Sequence, residues 1–71
     1  MRPTLYQTFK LQPSGRPPVF IMVIAVWVKE KEIESYDLLN LDGSLSVQRL
    51  SPPDFVNLLN NKQLVPWVPV K

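Results

Sequence analysis

The sequence predicts an α+β fold: a small three- to four-stranded antiparallel sheet, one helix packed on one face, and a flexible Pro-rich N-terminal arm. Three observations predict it. Residues 19–28 are an unbroken apolar run, Asp42-Gly43 separates two apolar-patterned stretches, and Ser51-Pro52-Pro53-Asp54 spells a helix start. With 71 residues the chain is one domain or part of one, divided as an arm over 1–18 and a single ββ(β)αβ-type body over 19–71.

The arm comes first. Pro3, Pro13, Pro17 and Pro18 each fix φ and remove a backbone donor, so no regular element is expected to run through them. The arm is basic: Arg2, Lys10 and Arg16 stand there without an acid, while the rest of the chain is nearly balanced. Leu5, Tyr6, Phe9 and Leu11 make it more apolar than a disordered tail. Two outcomes fit: the arm packs back and completes the core, or it stays loose and orders on a partner.

The run Val-Phe-Ile-Met-Val-Ile-Ala-Val-Trp-Val holds ten apolar residues, half the roughly 20 that a membrane span needs. Lys29-Glu30-Lys31-Glu32 follows it, where a signal peptide would carry small residues for cleavage. Density in β-branched Val and Ile favours a strand, read as central and covered on both faces. The charged tetrad is the turn out of it. Asp42-Gly43 then predicts a hairpin with a two-residue type I′ loop. That loop pairs Asn40 with Leu45, Leu38 with Val47 and Tyr36 with Arg49, and puts Tyr36, Leu38, Leu45 and Val47 on the core face. A three-residue loop shifts these pairs by one and exchanges the faces.

Ser51 is placed to cap the helix, Pro52 to occupy its first position, and Asp54 to close a capping box and meet the positive end of the dipole. Leu50 and Phe55 are spaced for a hydrophobic staple. Phe55, Leu58 and Leu59 form one apolar stripe, and Asn60-Asn61 suits a stop. The tail from Gln63 alternates apolar residues with Pro66 and Pro69, so it is at most an edge strand. The expected core is Phe20, Ile21, Met22, Val23, Ile24, Val26, Val28, Tyr36, Leu38, Leu45, Val47, Leu50, Phe55, Leu58 and Leu59.

Composition narrows the chemistry. There is no cysteine and no histidine, which excludes a disulfide scaffold, a Cys/His zinc site and His-based acid–base catalysis. The hydroxyls have no histidine beside them. The two glycines form no phosphate loop, and the six acids have no calcium-loop spacing. Asp37 is the one mildly unusual acid, on a strand, and facing solvent or pairing with Arg49 or Lys31 is its expected role. No catalytic, cofactor or metal residue is therefore expected; the chain reads as a non-enzyme.

What remains is binding. The expected contact residues are Arg2, Tyr6, Phe9, Lys10, Leu11, Arg16 and Trp67, meeting a protein partner by β-augmentation or by ordering of the arm. The alternative is a small nucleic-acid binder with Arg2, Lys10, Arg16 and Arg49 on phosphates and Tyr6, Phe9 or Trp67 as stacking platforms. Salt separates them, since phosphate contacts weaken steeply with it. A third reading is a subunit completed only in a homo-oligomer. The expected location is the cytoplasm, with no membrane partner.

Residues 33–44, Ile-Glu-Ser-Tyr-Asp-Leu-Leu-Asn-Leu-Asp-Gly-Ser, lead into Val47-Gln-Arg-Leu-Ser and then Phe55-Val-Asn-Leu-Leu. This order resembles short uncharacterised proteins of bacteriophages and other mobile elements: a Tyr-x-Leu-Leu strand, an Asp-Gly turn, a second strand, a Ser-capped helix and a last strand. The resemblance covers about half the chain, and its motifs are structural. It implies an accessory protein that binds and modulates a host protein, for instance as an inhibitor in transcription or defence, by analogy of fold and size alone.

Overall fold

The computed structural model describes residues 3–44 and 46–68. Five strands and one helix follow in the order β1 (Thr8–Leu11), β2 (Val19–Lys29), β3 (Glu32–Asn40), β4 (Val47–Leu50), α1 (Pro52–Asn60) and β5 (Leu64–Pro66). The strands form one sheet in the order β4-β3-β2-β1-β5, with every neighbouring pair antiparallel. This confirms the α+β class with one helix on a sheet; the sheet has five strands rather than three or four.

The added strand comes from the segment read as a flexible arm. Thr8–Leu11 lies inside the sheet, paired with residues 19–22 on one side and 64–66 on the other. Of the two outcomes open to this segment, residues 6–12 take the packed one: the Tyr6 amide donates to Val23, the Val23 amide to Gln7, and the Gln12 amide to Gln63. Short, proline-flanked segments carry little local signal. This one is held by pairing partners far away in sequence.

Alternation places Phe9, Ile21, Val23, Tyr36, Leu38 and Leu64 on the face that α1 covers. Together with Phe55 they are the buried core, with Leu11, Val19, Val26, Ile33, Leu50, Leu58 and Leu59 packed against it. Phe55 seats its ring edge-on to Phe9, centroids 5.2 Å apart at 84°, and tilted on Tyr36 at 5.6 Å. Phe9 and Leu64 are core residues the sequence reading did not include. A shift of register at Ile24 lets Val26, rather than Ala25, rejoin Val23 on the helix side.

The Ser51 cap and the prolines at the helix start are as expected. Ser51 is the N-cap, its hydroxyl accepts from the Asp54 amide at 3.4 Å, and prolines fill the first two helical positions. The stop differs by one residue. Lys62, at φ 59°, takes the left-handed position, while Asn61 stays at φ −81°. The Gln63 amide closes on Leu58 and the Lys62 amide on Leu59, a Schellman arrangement.

The β3–β4 register corrects the two-residue loop. Tyr36 pairs with Leu50, Asp37 with Arg49, Leu38 with Gln48 and Leu39 with Val47. Asn40 accordingly donates to Ser46 rather than facing Leu45, which lies outside the described residues. Gly43 takes φ 89°, and the Asp42 carboxylate accepts from the Ser44 amide, a contact that favours the longer loop. The one-residue shift moves Val47 off the core face. It is 52% exposed, and Val28, also expected inside, is 62% exposed near the β2–β3 turn.

That turn is Glu30-Lys31, flanked by the Lys29–Glu32 pair, with φ of 52° and 68° at its two residues. It is the two-residue hairpin of the molecule, built without Gly, Asn or Asp.

Candidate functional site

Among the described residues no helix lies on the second face of the sheet. Phe20, Met22 and Trp27 from β2, Leu39 from β3, Val47 from β4, Val65 from β5 and the adjoining Trp67 share it by register, interrupted by Lys10 and by Asp37 with Arg49. The expectation that β2 is covered on both faces is corrected: α1 covers one. Trp67 lies against Phe20 on the open side, centroids 4.5 Å apart. The Trp67 amide donates to Thr8, and the Thr8 hydroxyl donates back to the Trp67 carbonyl.

β2 and β3 outrun their neighbours. β1 pairs with β2 only as far as Met22, and β4 pairs with β3 only as far as Tyr36. The two long strands therefore continue as a ribbon ending at Glu30-Lys31, and the body is drawn out to 37 × 24 × 21 Å. At the root of the ribbon three side chains lock together. The Trp27 indole N–H donates to Asp37 at 2.8 Å, the Arg49 Nε donates to the other Asp37 oxygen at 3.1 Å, and the guanidinium lies 5.4 Å from the centre of the Trp27 ring. Both Asp37 oxygens are engaged, so a contact to Arg49 is made as the sequence suggested, with Trp27 as a partner the sequence did not reveal. Trp27 stays 49% exposed.

The Trp27 N–H, and then Arg49, hold the Asp37 carboxyl below its ordinary value of 3.8. The Ser44 hydroxyl and amide do the same for Asp42. A carboxyl that loses its proton more readily when folded adds stability above its unfolded pKa and loses it as pH falls through the lower folded one. Thermal melts should therefore drop as pH is lowered below 3.8. Asp37→Asn should flatten part of that drop while leaving the melting temperature near neutrality little changed, as expected for an ion pair screened by solvent. An unchanged acid slope in Asp37→Asn would refute this role.

On the helix side of the ribbon a groove of about 380 Å³ opens between Lys31, Glu32 and Ile33 of the hairpin and Pro52, Phe55 and Val56 of α1, with Tyr36 also lining it. Among the described residues no group of three or more Asp or Glu side chains is placed to hold a metal ion.

The sequence-derived contact residues do not form one surface. Phe9 is fully buried under α1 and so is not free to meet a partner, while Leu11 is partly buried against the same core. Tyr6, 66% exposed at φ 67°, sits in the turn before β1. Lys10 and Trp67 are on the open face, Arg16 is exposed in the β1–β2 turn, and Arg2 lies outside the described residues. The features the sequence reading missed, Trp27 and the ribbon, had one usable signal: a strand longer than the segments available to pair with it. Among the described residues no helix is long and apolar enough to cross a membrane. No family model, curated protein or solved structure matches the chain.

Proposed function

We propose that this protein is a small non-enzymatic binding module that engages a partner protein through the end of the β2–β3 ribbon. The observation that carries the reading is the projection of the ribbon beyond the sheet, with Trp27 and Val28 about half or more exposed beneath its charged turn and a groove on its helix side. A rigid aromatic side chain fixed by its own hydrogen bond is the kind of anchor that dominates protein interfaces. The groove offers room for one or two partner side chains. The resemblance to mobile-element proteins supports a host protein as the partner, with modulation or inhibition as the consequence and the cytoplasm as the place. Nucleic acid is the weaker reading, because Arg49, which shares the open face with Lys10, is already engaged by Asp37, and Arg16 stands apart in the β1–β2 turn.

Affinity capture with the tagged full chain from nuclease-treated lysate tests the proposal. The expected result is a defined protein that survives nuclease and high salt. It should be lost with Val28→Glu and with Trp27→Ala, both of which should keep a cooperative melt. A partner that disappears on nuclease treatment, or that is retained equally by both variants, would overturn it.

A further inference from the structure

We infer that the partner supplies an extended, basic segment that adds a strand to the bare edge of β3, in line with β4, and seats apolar side chains in the groove beside α1. The inference rests on the ribbon reading and adds the chemistry of the partner. The backbone argues for it first. β4 pairs with β3 from Leu39 to Tyr36, and at Ser51 the chain turns into α1. Among the described residues no strand therefore lies on that side of residues 32–35. An unpaired strand edge is a row of amide and carbonyl groups, and what satisfies the whole row is another extended backbone.

The groove suits the same occupant. It is lined by Ile33 of β3 and by Pro52, Phe55 and Val56 of α1, so it lies along this edge. A strand that continues β4 turns every second side chain to the helix side, roughly 7 Å apart. Four such residues send two side chains into a groove of about 380 Å³. Charge selects the sequence. Residues 32–35 carry Glu32 and Glu34, both exposed, and no base; among the described residues neither is in an ion pair. With Lys31 of the turn included, residues 31–35 still hold two acids to one base. Basic side chains alternating with apolar ones complement this edge. The opposite edge of the ribbon is also without a paired strand from Ile24 onward among the described residues. The groove is built from β3, its turn and α1, however, which makes β3 the edge that reads side chains as well as backbone.

Panning a phage-displayed random heptapeptide library on the immobilised full chain, with Val56→Lys as the counter-selection, is the test. The enriched peptides should carry Lys or Arg alternating with apolar residues, and their synthetic forms should bind in solution. Methylating every second backbone amide of such a peptide distinguishes strand addition from other modes. One methylation phase should weaken binding by about tenfold or more, and the other should leave it unchanged, because only alternate amides face the edge. Glu32→Lys with Glu34→Lys should turn the enrichment to acidic peptides. Val65→Lys, on the far strand of the sheet, should bind as the wild type does. All these substitutions are at exposed positions and should keep the wild-type melt. No enrichment over Val56→Lys, acidic peptides enriched by the wild type, a selection unmoved by the two lysines, or equal weakening by both methylation phases would each overturn the inference. Partner capture that still depends on Trp27 and Val28 would in that case leave the ribbon reading standing.

Discussion

Phe9→Ala should remove between about a third and all of the folding stability at 25 °C. Truncating a fully buried phenylalanine removes about 3–5 kcal/mol, the range for Phe→Ala in a packed core. A chain of 71 residues has roughly 4–10 kcal/mol in total. Phe9 is 0% exposed and meets Phe55 edge-on, so the lost side chain also strips the main contact of α1 with β1. Urea titration followed by far-ultraviolet circular dichroism should show a midpoint lowered by about a third or more. Deleting residues 1–16 should do the same or worse, because it removes the strand that joins β5 to β2. If Phe9→Ala melted like the wild type and lost only partner binding, the strand assignment of residues 8–11 would fail and the contact role expected from the sequence would return.

The opposite sign is expected at the ribbon turn. Glu30 and Lys31 both hold left-handed backbone, which for non-glycine residues lies about 1–2 kcal/mol above the right-handed region. Glu30→Asn with Lys31→Gly supplies the residues that a type I′ turn favours. Part of the gain is offset by the greater chain entropy that glycine brings to the unfolded state, about 0.5–1 kcal/mol. A net stabilisation of about 1–2 kcal/mol remains, worth roughly 5–10 °C in Tm for a domain of this size. A melting temperature unchanged or lowered in the double variant would mean that Glu30 and Lys31 hold this turn without strain. Since Lys31 also borders the groove, the same variant should be assayed for partner capture.

Those two residues also mark where sequence reading stops. Asp42-Gly43 carries the stronger turn chemistry, yet the tight hairpin is at Glu30-Lys31. The eight β2–β3 residue pairs outweigh the local preference of the residues that join the strands. At Asp42-Gly43 the position of the turn was legible and its length was not. A carboxylate–amide contact to Ser44 favours three residues over two, and that single residue decides which face Val47 occupies.

The candidate site was legible only in fragments. Trp67 and Lys10 were named from residue type, and they do lie on the open face; Phe9 and Leu11 were named for the same reason and lie in or against the core. An apolar residue in a proline-rich segment has the same local signature whether it meets a partner or its own core. The pairing of Leu11 with Leu64 settles the matter, and no local pattern encodes a contact across 53 positions of chain. Trp27 sat inside the apolar run with nothing to mark it as exposed until the shorter neighbouring strands ended below it.

Taken alone, the amino-acid order determined what neighbours in the chain can settle: the strand over 19–28, the Ser51 cap with its prolines, the Phe55-Leu58-Leu59 stripe, and the lack of histidine and cysteine chemistry. These rest on propensity, capping and composition, which act within a few residues. The place of β1 and β5 in the sheet, the hairpin register, the bare second face and the Trp27–Asp37–Arg49 cluster were decided by the tertiary structure. Each depends on which distant segments come together, and backbone pairing is nearly indifferent to side-chain identity until burial of one face selects a single register.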